Sequence, residues 1–442
     1  MKIAWFTPFN RQSGISRYSQ TATNELVKHC QVDLWVSDNT DLLPTDLRIC
    51  RYSTDKDFSP KRKDYDYVIY NMGAHLGYHK AIYEASKVNK GVVILHDFVM
   101  HHFFAGYYLE HMRDKAAYLN AVDSLYGKFG RETAANSLND NCRHVWETDN
   151  VVDYPFFEKA IEGAMGVIVH SDFLAANARK RFLGPVGTIY LPFNPALISH
   201  HDTSKADLGL PEDKLLIVTS GHINPNKKID KVIEVLAENK DLAHQVTYVI
   251  VGSSDFEKYF SYLQSMVKEN NLQNTVRFMG FQPDHVLDDY RLNADIFINL
   301  RFPAIEGASW SLVSELHYGK PVIVIDNGFY SEIRDGCLVK IKVSNLKTGL
   351  CEALNKLVAD RDMRVLIGEK GKQFALSNFT TEKYCHSFIS FLEQVQGNQP
   401  VLQLVDRVGQ ELSTMGATDT TEVVNKSALE INNMFGKISS RG

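Results

Sequence analysis

Residues 294–328 read ADIFINLRFPAIEGASWSLVSELHYGKPVIVIDNG and contain two apolar strands with a helix between them. The strand ADIFINL leads through a loop into a helix, which we expect to begin near Ala308 or Ser309 and to run to Gly319. The second strand, VIVI, follows directly. Apolar strands joined by a helix are typical of parallel sheets that helices cover on both faces. This stretch therefore predicts a strand–helix–strand unit of an α/β domain.

The same alternation of short apolar strands and helical segments recurs along most of the chain. The earlier strands are KIAWFTPF, QVDLWVS, YDYVIYNMG, GVVILHD, MGVIVHS and GTIYLPF in the first half, and LLIVTSG, VTYVIVGSS and TVRFMGF in the second. The apolar periodicity lapses over residues 192–213, where proline, aspartate and serine collect. We predict two α/β domains joined near this segment.

Two regions depart from the alternation. Residues 100–160 are aromatic, rich in histidine and helical in pattern, and we interpret them as an insertion that covers the rim of the first sheet. After residue 397 no strand pattern remains, and apolar residues at helical spacing between Val401 and Leu412 predict an amphipathic helix. Packing on its own domain and contact with a membrane or protein partner are both open for this helix.

The composition of the 442-residue chain argues against several classes of protein. Hydrophobic residues make up 44% and charged residues 23%, and a formal net charge of -5 gives no general attraction to nucleic acid. Six cysteines without a CxxC spacing indicate neither a zinc ribbon nor a disulfide framework. The N-terminus turns polar after nine residues, and no run of about 18 apolar residues occurs. We expect a cytoplasmic protein, with peripheral contact at the inner face of the membrane left open.

Two candidate binding positions follow strands of the first half. Gly14, in TPFNRQSGISRYSQ, follows the first strand, where a glycine lets the backbone approach a ligand and the next helix presents free N–H groups. His96, in GVVILHDFVMHH, ends another strand. A tight turn without a ligand and a purely structural histidine are the alternatives. His96, His101 and His102 form no HxxxH pair, so we expect no metal.

The second half carries a motif suited to phosphate after the strand LLIVT. In SGHINPNKKIDKVIEVL, Gly221 permits close approach of the backbone, and Lys227 or Lys228 would bring a cation near the carboxyl end of the strand. A cation at that position suits a phosphate group. Two solvated lysines at the start of a surface helix are the alternative.

The segment EGASWSLVSELHYG contains two further candidates for ligand binding, the acid Glu306 and the N-terminus of a helix. Gly307, Ala308 and Ser309 are small residues at the helix N-terminus, where free N–H groups bind anions and the helix dipole contributes roughly 0.3 to 2 kcal/mol. An anion there would repel Glu306 unless the acid contacts another group. The hydroxyls of a sugar would suit it.

These motifs resemble the family-4 group of retaining glycosyltransferases, in its bacterial cell-surface polysaccharide branch. GHINPNKKIDKVIEVL is similar to the Gly-x5-Lys motif of the group, and EGASWSLVSELHYGKPVI to its E-x7-E region followed by Gly-Lys-Pro-Val-Ile. The resemblance covers about residues 1–397 and implies the GT-B architecture, an α/β fold of two Rossmann-like doubly wound domains facing across a cleft. We place the domains at 1–196 and 197–380, a helix closing back toward the first domain at 381–397, and a helical or flexible tail at 398–442.

The resemblance also implies roles for the candidate residues. The second domain would bind a sugar nucleotide and the first domain the acceptor. Lys227 would contact the donor diphosphate, and Gly14 would lie close to the phosphates. Glu306 would hold hydroxyls of the donor sugar and His96 would contact that sugar near the reacting carbon, which makes them the candidate catalytic residues. The remaining candidates for donor binding are Gly221, His222, Lys228, Gly307, Ala308, Ser309 and Ser314.

The chain departs from the family pattern at two positions. His222 stands where the family commonly has an arginine, so one cation on the diphosphate is weakened, and Lys228 is the candidate to compensate. Ser314 stands where the family's second glutamate binds the nucleotide ribose, and Glu315 lies one step further, about 100° around the helix. We predict that Ser314 faces the ribose and that Glu315 lies on the side of the helix.

By this resemblance we expect a hexose to move, with retention of configuration, from a UDP- or GDP-linked sugar to a glycan or lipid-linked acceptor in polysaccharide or O-antigen biosynthesis. We expect no metal and no other cofactor, because lysines and helix N-termini would neutralise the leaving diphosphate. The departing phosphate would accept the proton of the acceptor in a front-face attack. A sugar-nucleotide 2-epimerase and a non-catalytic glycan-binding or scaffold subunit are the alternatives.

Overall fold

The structure is a computed structural model that describes residues 1–11, 13–37, 41–53, 64–139, 142–199 and 202–417, together with residues 423, 424, 426, 427 and 430. Side chains at 400–403, 405 and 406 lie outside the described part, as does most of the predicted tail beyond residue 417. Two parallel sheets with helices on their faces form the two predicted Rossmann-like domains, and the α/β prediction is confirmed.

The first sheet has seven strands, which are β1 (Lys2–Phe6), β2 (Gln31–Val36), β3 (Arg48–Arg51), β4 (Tyr67–Met72), β5 (Val92–Leu95), β6 (Gly166–Val169) and β7 (Val186–Thr188). Their order is β3-β2-β1-β4-β5-β6-β7, and every pair is parallel. The helices of this part are α1 (Gly14–Leu26), α2 (Leu76–Val88), α3 (His101–Ala105), α4 (Lys115–Ser137), α5 (Phe157–Ile161) and α6 (Asp172–Arg179).

The second sheet has six strands, which are β8 (Leu215–Ser220), β9 (Val246–Val251), β10 (Val276–Gly280), β11 (Ile296–Ile298), β12 (Val322–Ile325) and β13 (Val339–Ile341). Their order is β10-β9-β8-β11-β12-β13, again parallel throughout. The helices are α7 (Ile229–Glu238), α8 (Lys240–Gln245), α9 (Glu257–Glu269), α10 (Asp284–Asn293), α11 (Trp310–His317), α12 (Gly328–Glu332), α13 (Leu346–Ala359), α14 (Arg361–Asn378) and α15 (Thr381–Thr414).

The quoted strand–helix–strand unit is β11, α11 and β12, with a shorter helix than predicted. Ser309 has extended backbone angles, and its hydroxyl accepts a hydrogen bond from the N–H of Leu312, so it caps the helix instead of opening it. At the other end Gly319 has a φ of +68°, which continues no right-handed helix. The helix therefore runs from Trp310 to His317.

Residues 100–160 do more than cover a rim. A π-helical turn, Gly106–His111, joins α3 to the segment that precedes α4, and two 3₁₀ turns precede α5. The rings of Phe103, Phe104, Tyr118 and Phe156 are fully buried in the same hydrophobic cluster as the sheet residue Phe6. These helices thus complete the core on one face of the first sheet.

The helix α15 continues without a break past residue 397 and packs against the first domain. The ring of Phe388 lies 5.5 Å from that of Trp5, and the hydroxyls of Tyr384 and Tyr18 form a buried hydrogen bond. At Gly187 a side chain would meet the ring of Phe391, so the glycine allows this close approach. One hydrophobic cluster therefore spans both domains and α15.

Candidate active site

The two domains meet through the loops that follow β5 and β11, at the carboxyl ends of both sheets. Val99 donates its N–H to the carbonyl of Ile305 at 2.9 Å, and Gly307 donates to the carbonyl of His96 at 2.8 Å. A Cβ at Gly307 would lie 2.8 Å from that same oxygen. Ligands of open parallel sheets bind at this edge. The N–H of Gly307, predicted to face an anion, instead joins the two domains here.

Lys227 lies buried in the turn between β8 and α7. It is 3% exposed, and its ammonium donates to the carbonyl of Ser220 at 2.5 Å. Burial lowers the pKa of Lys227 well below its usual range; Arg301 adds to this shift, and Glu315 opposes it. The predicted alternative of a solvated Lys227 is therefore wrong. Gly221, with a φ of +89°, allows the chain to turn directly beside the ammonium.

Glu315 lies inside the second domain, fully buried beneath the same strand end. Its carboxylate accepts from the hydroxyl of Ser220 at 3.0 Å and from the amide of Asn299 at 2.7 Å. Burial raises the pKa of Glu315, while these two hydrogen bonds and the charge of Arg291 oppose the rise. Arg291 also donates to the hydroxyl of Ser220 at 3.2 Å. Ser220 therefore connects an acid and two cations.

Glu315 is thus an internal residue and not one on the free side of the helix, which corrects the prediction for it. Ser314 is also buried, at 4% exposure. The count along the sequence assigned the ribose position to Ser314, but it does not show which side chains of α11 the domain buries.

Glu306 is the most accessible acid of the cluster, with its side chain 18% exposed. Tyr330 donates its hydroxyl to one carboxylate oxygen at 2.6 Å, and the Nε of Arg301 lies 3.3 Å from the same atom. Glu306 therefore has two partners of its own beside the domain junction. Arg301, three residues after β11, was missed in the sequence because no motif marks it.

His222, where the cation was expected to be weakened, and Lys228, the candidate to compensate, both have partners of their own. The ammonium of Lys228 lies 3.9 Å from a carboxylate oxygen of Asp149, in the first domain, and 5.4 Å from the ring centre of Phe302. His222 is 39% exposed, and its Nε2 lies 3.7 Å from Asp255. Burial lowers the pKa of His222, so this ring is neutral at pH 7. In this structure Arg301 and Arg291 are the cations grouped with Lys227.

A cavity of about 280 Å³, here called the cleft cavity, lies between the domains. Its walls include Gly14, His96, Asp97, Ala308 and Trp310. Ala308 and Trp310 belong to the second domain, and the other lining residues belong to the first. Gly14 opens α1, and a Cβ there would meet no atom within 4 Å. Predicted residues from both halves of the chain therefore share one cavity.

His96 is neutral and donates a hydrogen bond from Nε2 at the cleft cavity. The amide nitrogen of Asn71 donates to the carbonyl of Phe6, which leaves its Oδ1 to accept from Nε2 of His96 at 3.1 Å. Burial lowers the pKa of His96 well below its usual range. The adjacent Asp97 has a pKa that burial raises to about 6, with Glu306 adding to the rise.

Neither metal ligation nor membrane crossing is indicated by the part of the chain that the structure describes. Within it, no group of three or more histidine, cysteine, aspartate or glutamate side chains is arranged to hold a metal ion. None of the described helices combines the length and the apolar character that crossing a membrane requires. A larger cavity, about 690 Å³, lies near the C-terminal end of α2 and contains none of the predicted site residues.

The chain is similar to known proteins in sequence and in fold. The fold is GT-B. Residues 200–374 match the family described as glycosyl transferases group 1. A search of curated proteins found no match. The family match and the fold together support a GT-B glycosyltransferase, and hence transfer of a sugar.

Three solved structures show the similarity of fold. Anabaena HepE in complex with UDP and glucose has a TM-score of 0.61 and 16% identity, over 89% of this chain and 99% of that one. Sucrose-phosphate synthase from Thermosynechococcus elongatus has a TM-score of 0.62 and 16% identity, over 90% and 100%. WaaG, a glycosyltransferase involved in lipopolysaccharide biosynthesis, has a TM-score of 0.56 and 16% identity, over 87% and 98%.

Proposed function

We propose that this protein is a retaining hexosyltransferase of the family-4 type. It transfers a hexose from a nucleoside diphosphate sugar to a glycan or lipid-linked acceptor. The observation that carries the proposal is the buried Lys227 at the carboxyl end of β8, grouped with Arg301 and Arg291. With Glu306 and Glu315 these side chains bring three cations and two acids together. Lysine and arginine side chains grouped at one strand end suit a diphosphate.

The donor binds to the second domain with its diphosphate at Lys227 and its sugar at Glu306. A phosphate oxygen replaces the carbonyl of Ser220 as partner of the ammonium, and its negative charge raises the pKa that burial lowers. UDP is the first nucleotide to test, because HepE was solved with UDP and with UDP-glucose, and GDP is the second.

Leaving-group stabilisation by fixed cations makes a metal or other cofactor unnecessary in this proposal. Lys227 and Arg301 hold the charge that develops on the departing diphosphate. The phosphate then takes the proton of the attacking acceptor hydroxyl on the same face of the sugar, so that configuration is retained. The loops that join the domains limit access of water to the reacting carbon.

The acceptor enters from the first domain, through the cleft cavity beside His96 and Gly14. We assign the reaction to the assembly of a bacterial polysaccharide or O-antigen on the cytoplasmic side, with peripheral contact at the membrane. The role of WaaG in lipopolysaccharide biosynthesis is in line with this assignment. A contact through the tail beyond residue 397 belongs to the same proposal.

Nucleotide release from a panel of UDP- and GDP-hexoses, with and without a lipid-linked acceptor, tests the proposal. We expect release that depends on the acceptor, persists in EDTA and gives a product with the anomeric configuration of the donor by NMR. A strict Mn²⁺ requirement would contradict the metal-free mechanism, and inverted product would contradict retention.

Two other outcomes would replace the proposal. Conversion of the donor to its 2-epimer without acceptor would indicate an epimerase. Binding without transfer across the panel would indicate a non-catalytic subunit, the candidate favoured by Ser314 in place of the second glutamate.

A further inference from the structure

His170 is a second buried histidine at the cleft cavity, and the proposed mechanism does not use it. It follows β6 as His96 follows β5, and the two strands are neighbours in the first sheet. The two ring centres lie 5.0 Å apart, and both rings line the cleft cavity. His170 is 1% exposed.

The hydrogen bonds of His170 fix its tautomer. Its Nδ1 lies 2.7 Å from the carbonyl oxygen of Ile189, which can only accept, so Nδ1 carries the proton. Burial lowers the pKa of the ring to about 4, so His170 is neutral at pH 7. Its Nε2 is consequently a lone-pair acceptor. This atom is buried and has no hydrogen-bond partner within the described part of the chain.

Two other imidazoles at the cleft cavity are fixed in the same manner. His79 donates from Nδ1 to the carbonyl of Asn71 at 3.0 Å, and His96 donates from Nε2 to the side chain of that residue. Each ring thus gives its single N–H to the protein and keeps one nitrogen as an acceptor. A buried acceptor without a donor is destabilising, so an unpaired Nε2 at the wall of a cavity favours a ligand that brings a donor.

We propose that His170 is a substrate-binding residue whose Nε2 accepts a hydrogen bond from a sugar hydroxyl in the cleft cavity. A hydroxyl can donate to a neutral imidazole, whereas a carboxylate or a fully ionised phosphate cannot. The rings of Tyr18 and Trp310 also line the cavity and give a sugar ring apolar surfaces to lie against. The inference rests on the proposed sugar transfer and assigns one contact within it.

The hydroxyl can belong to the donor sugar or to the acceptor, and NMR distinguishes these sources. In protein labelled with ¹⁵N-histidine, the resonance of Nε2 in His170 should shift when this atom gains a donor. UDP, GDP, each UDP- or GDP-hexose of the donor panel and the methyl glycosides of glucose, galactose and N-acetylglucosamine are added separately to saturation. A shift with a nucleotide sugar but not with its nucleotide assigns the donor sugar, and a shift with a glycoside assigns the acceptor.

Two variants separate substrate contact from a structural role. His170→Gln can place a carbonyl oxygen near the position of Nε2, while His170→Asn keeps a donor near the carbonyl of Ile189 and removes the distal acceptor. We expect the KM of the substrate identified by NMR to rise about tenfold in His170→Asn and to stay within about threefold in His170→Gln. Thermal unfolding of both variants monitors folding.

The inference is overturned if Nε2 does not shift with any of these sugars, as a permanently trapped water would produce. It is also overturned if His170→Asn keeps the wild-type KM and His170→Gln does not, since that order indicates a structural role. Transfer by the wild type together with either result refutes only the role of His170. Absence of nucleotide release from every donor refutes the proposed transfer instead.

Discussion

Lys227 is held out of water by the fold, and its protonation depends on what binds beside it. We expect Lys227→Ala to reduce nucleotide release by on the order of 10² to 10³, the effect of removing one contact to a developing negative charge. The measurement is the initial rate with the best UDP- or GDP-hexose. Lys231→Ala is the matched control, because Lys231 pairs with Glu234 on the surface of α7. An unchanged rate in Lys227→Ala would remove this residue from the donor site.

Glu306 and Glu315, the two acids near α11, differ in burial. We therefore expect Glu306 to act in turnover and Glu315 to act in folding. Asn299 and Ser220 each donate to one carboxylate oxygen of Glu315, and glutamine would replace one of these oxygens with an NH₂ group that cannot accept. We therefore expect Glu315→Gln to lower the free energy of unfolding by roughly 1 to 3 kcal/mol. Glu306→Gln should affect turnover more than Glu315→Gln does, with little change in stability. Urea unfolding and nucleotide release measure the two effects. A larger loss of turnover in a stable Glu315→Gln variant would place Glu315 at the donor.

Residue types and spacing were sufficient to predict where the motifs lie in the fold, but they did not predict the directions in which the side chains of the motifs point. Lys227 and Lys228 are adjacent in sequence, yet Lys228 has a left-handed backbone and faces Asp149. Nothing in a pattern of two lysines indicates that turn. Ser220 was missed because its partner Glu315 is distant in sequence, and Arg301 was missed because no motif marks it.

At the scale of elements, long apolar runs were sufficient to predict most strands. The strand β3 was not predicted because it is a short, largely exposed edge strand, and β13 was not predicted because it has only three residues. Neither contains an apolar run, and pairing with a neighbouring strand makes each of them β structure. The helix α11 begins at Trp310, one residue after the predicted start near Ala308 or Ser309, since Ser309 serves as a cap.

The helix α15 stabilises the first domain through aromatic packing. Phe388 is fully buried and lies 5.5 Å from Trp5 and 5.8 Å from Tyr384, measured between ring centres. We expect Phe388→Ala to cost about 3 to 5 kcal/mol of unfolding free energy, because it leaves a cavity between α15 and β1. Denaturant unfolding measures this loss. Phe281→Ala, at a ring that is 77% exposed, should change stability by less than about 0.5 kcal/mol. Equal effects of the two substitutions would contradict the packing role.

At the scale of the whole molecule, buried neutral histidines make the fold sensitive to acid. Burial lowers the pKa values of His79 and His170 to about 4, against 6.5 in the unfolded chain. Below pH 6.5 these two histidines are protonated in the unfolded chain but stay neutral in the folded chain. The unfolding free energy therefore falls as pH decreases toward 4. The loss at pH 5 is on the order of 2 kcal/mol for each ring.

Urea unfolding at pH 7.5 and pH 5.0 measures this dependence. His170→Asn should lose less stability than the wild type between the two pH values. The raised pKa of Asp97 acts in the opposite direction, but it is shared by both proteins and cancels in the difference. Identical losses would show that His170 takes up a proton in the folded state.

Closure of the two domains depends on a close backbone contact. A Cβ at Gly307 would lie 2.8 Å from the carbonyl oxygen of His96 and 2.6 Å from a methyl carbon of Leu174, so alanine forces the loops after β5 and β11 apart. We expect Gly307→Ala to increase the radius of gyration in solution scattering and to reduce sugar transfer at least tenfold. Nucleotide binding should remain, because Lys227 and Ser220 both belong to the second domain. Gly397→Ala, whose Cβ would meet no atom within 4 Å, is the matched control. Wild-type scattering and transfer in Gly307→Ala would show that the contact is not needed for catalysis.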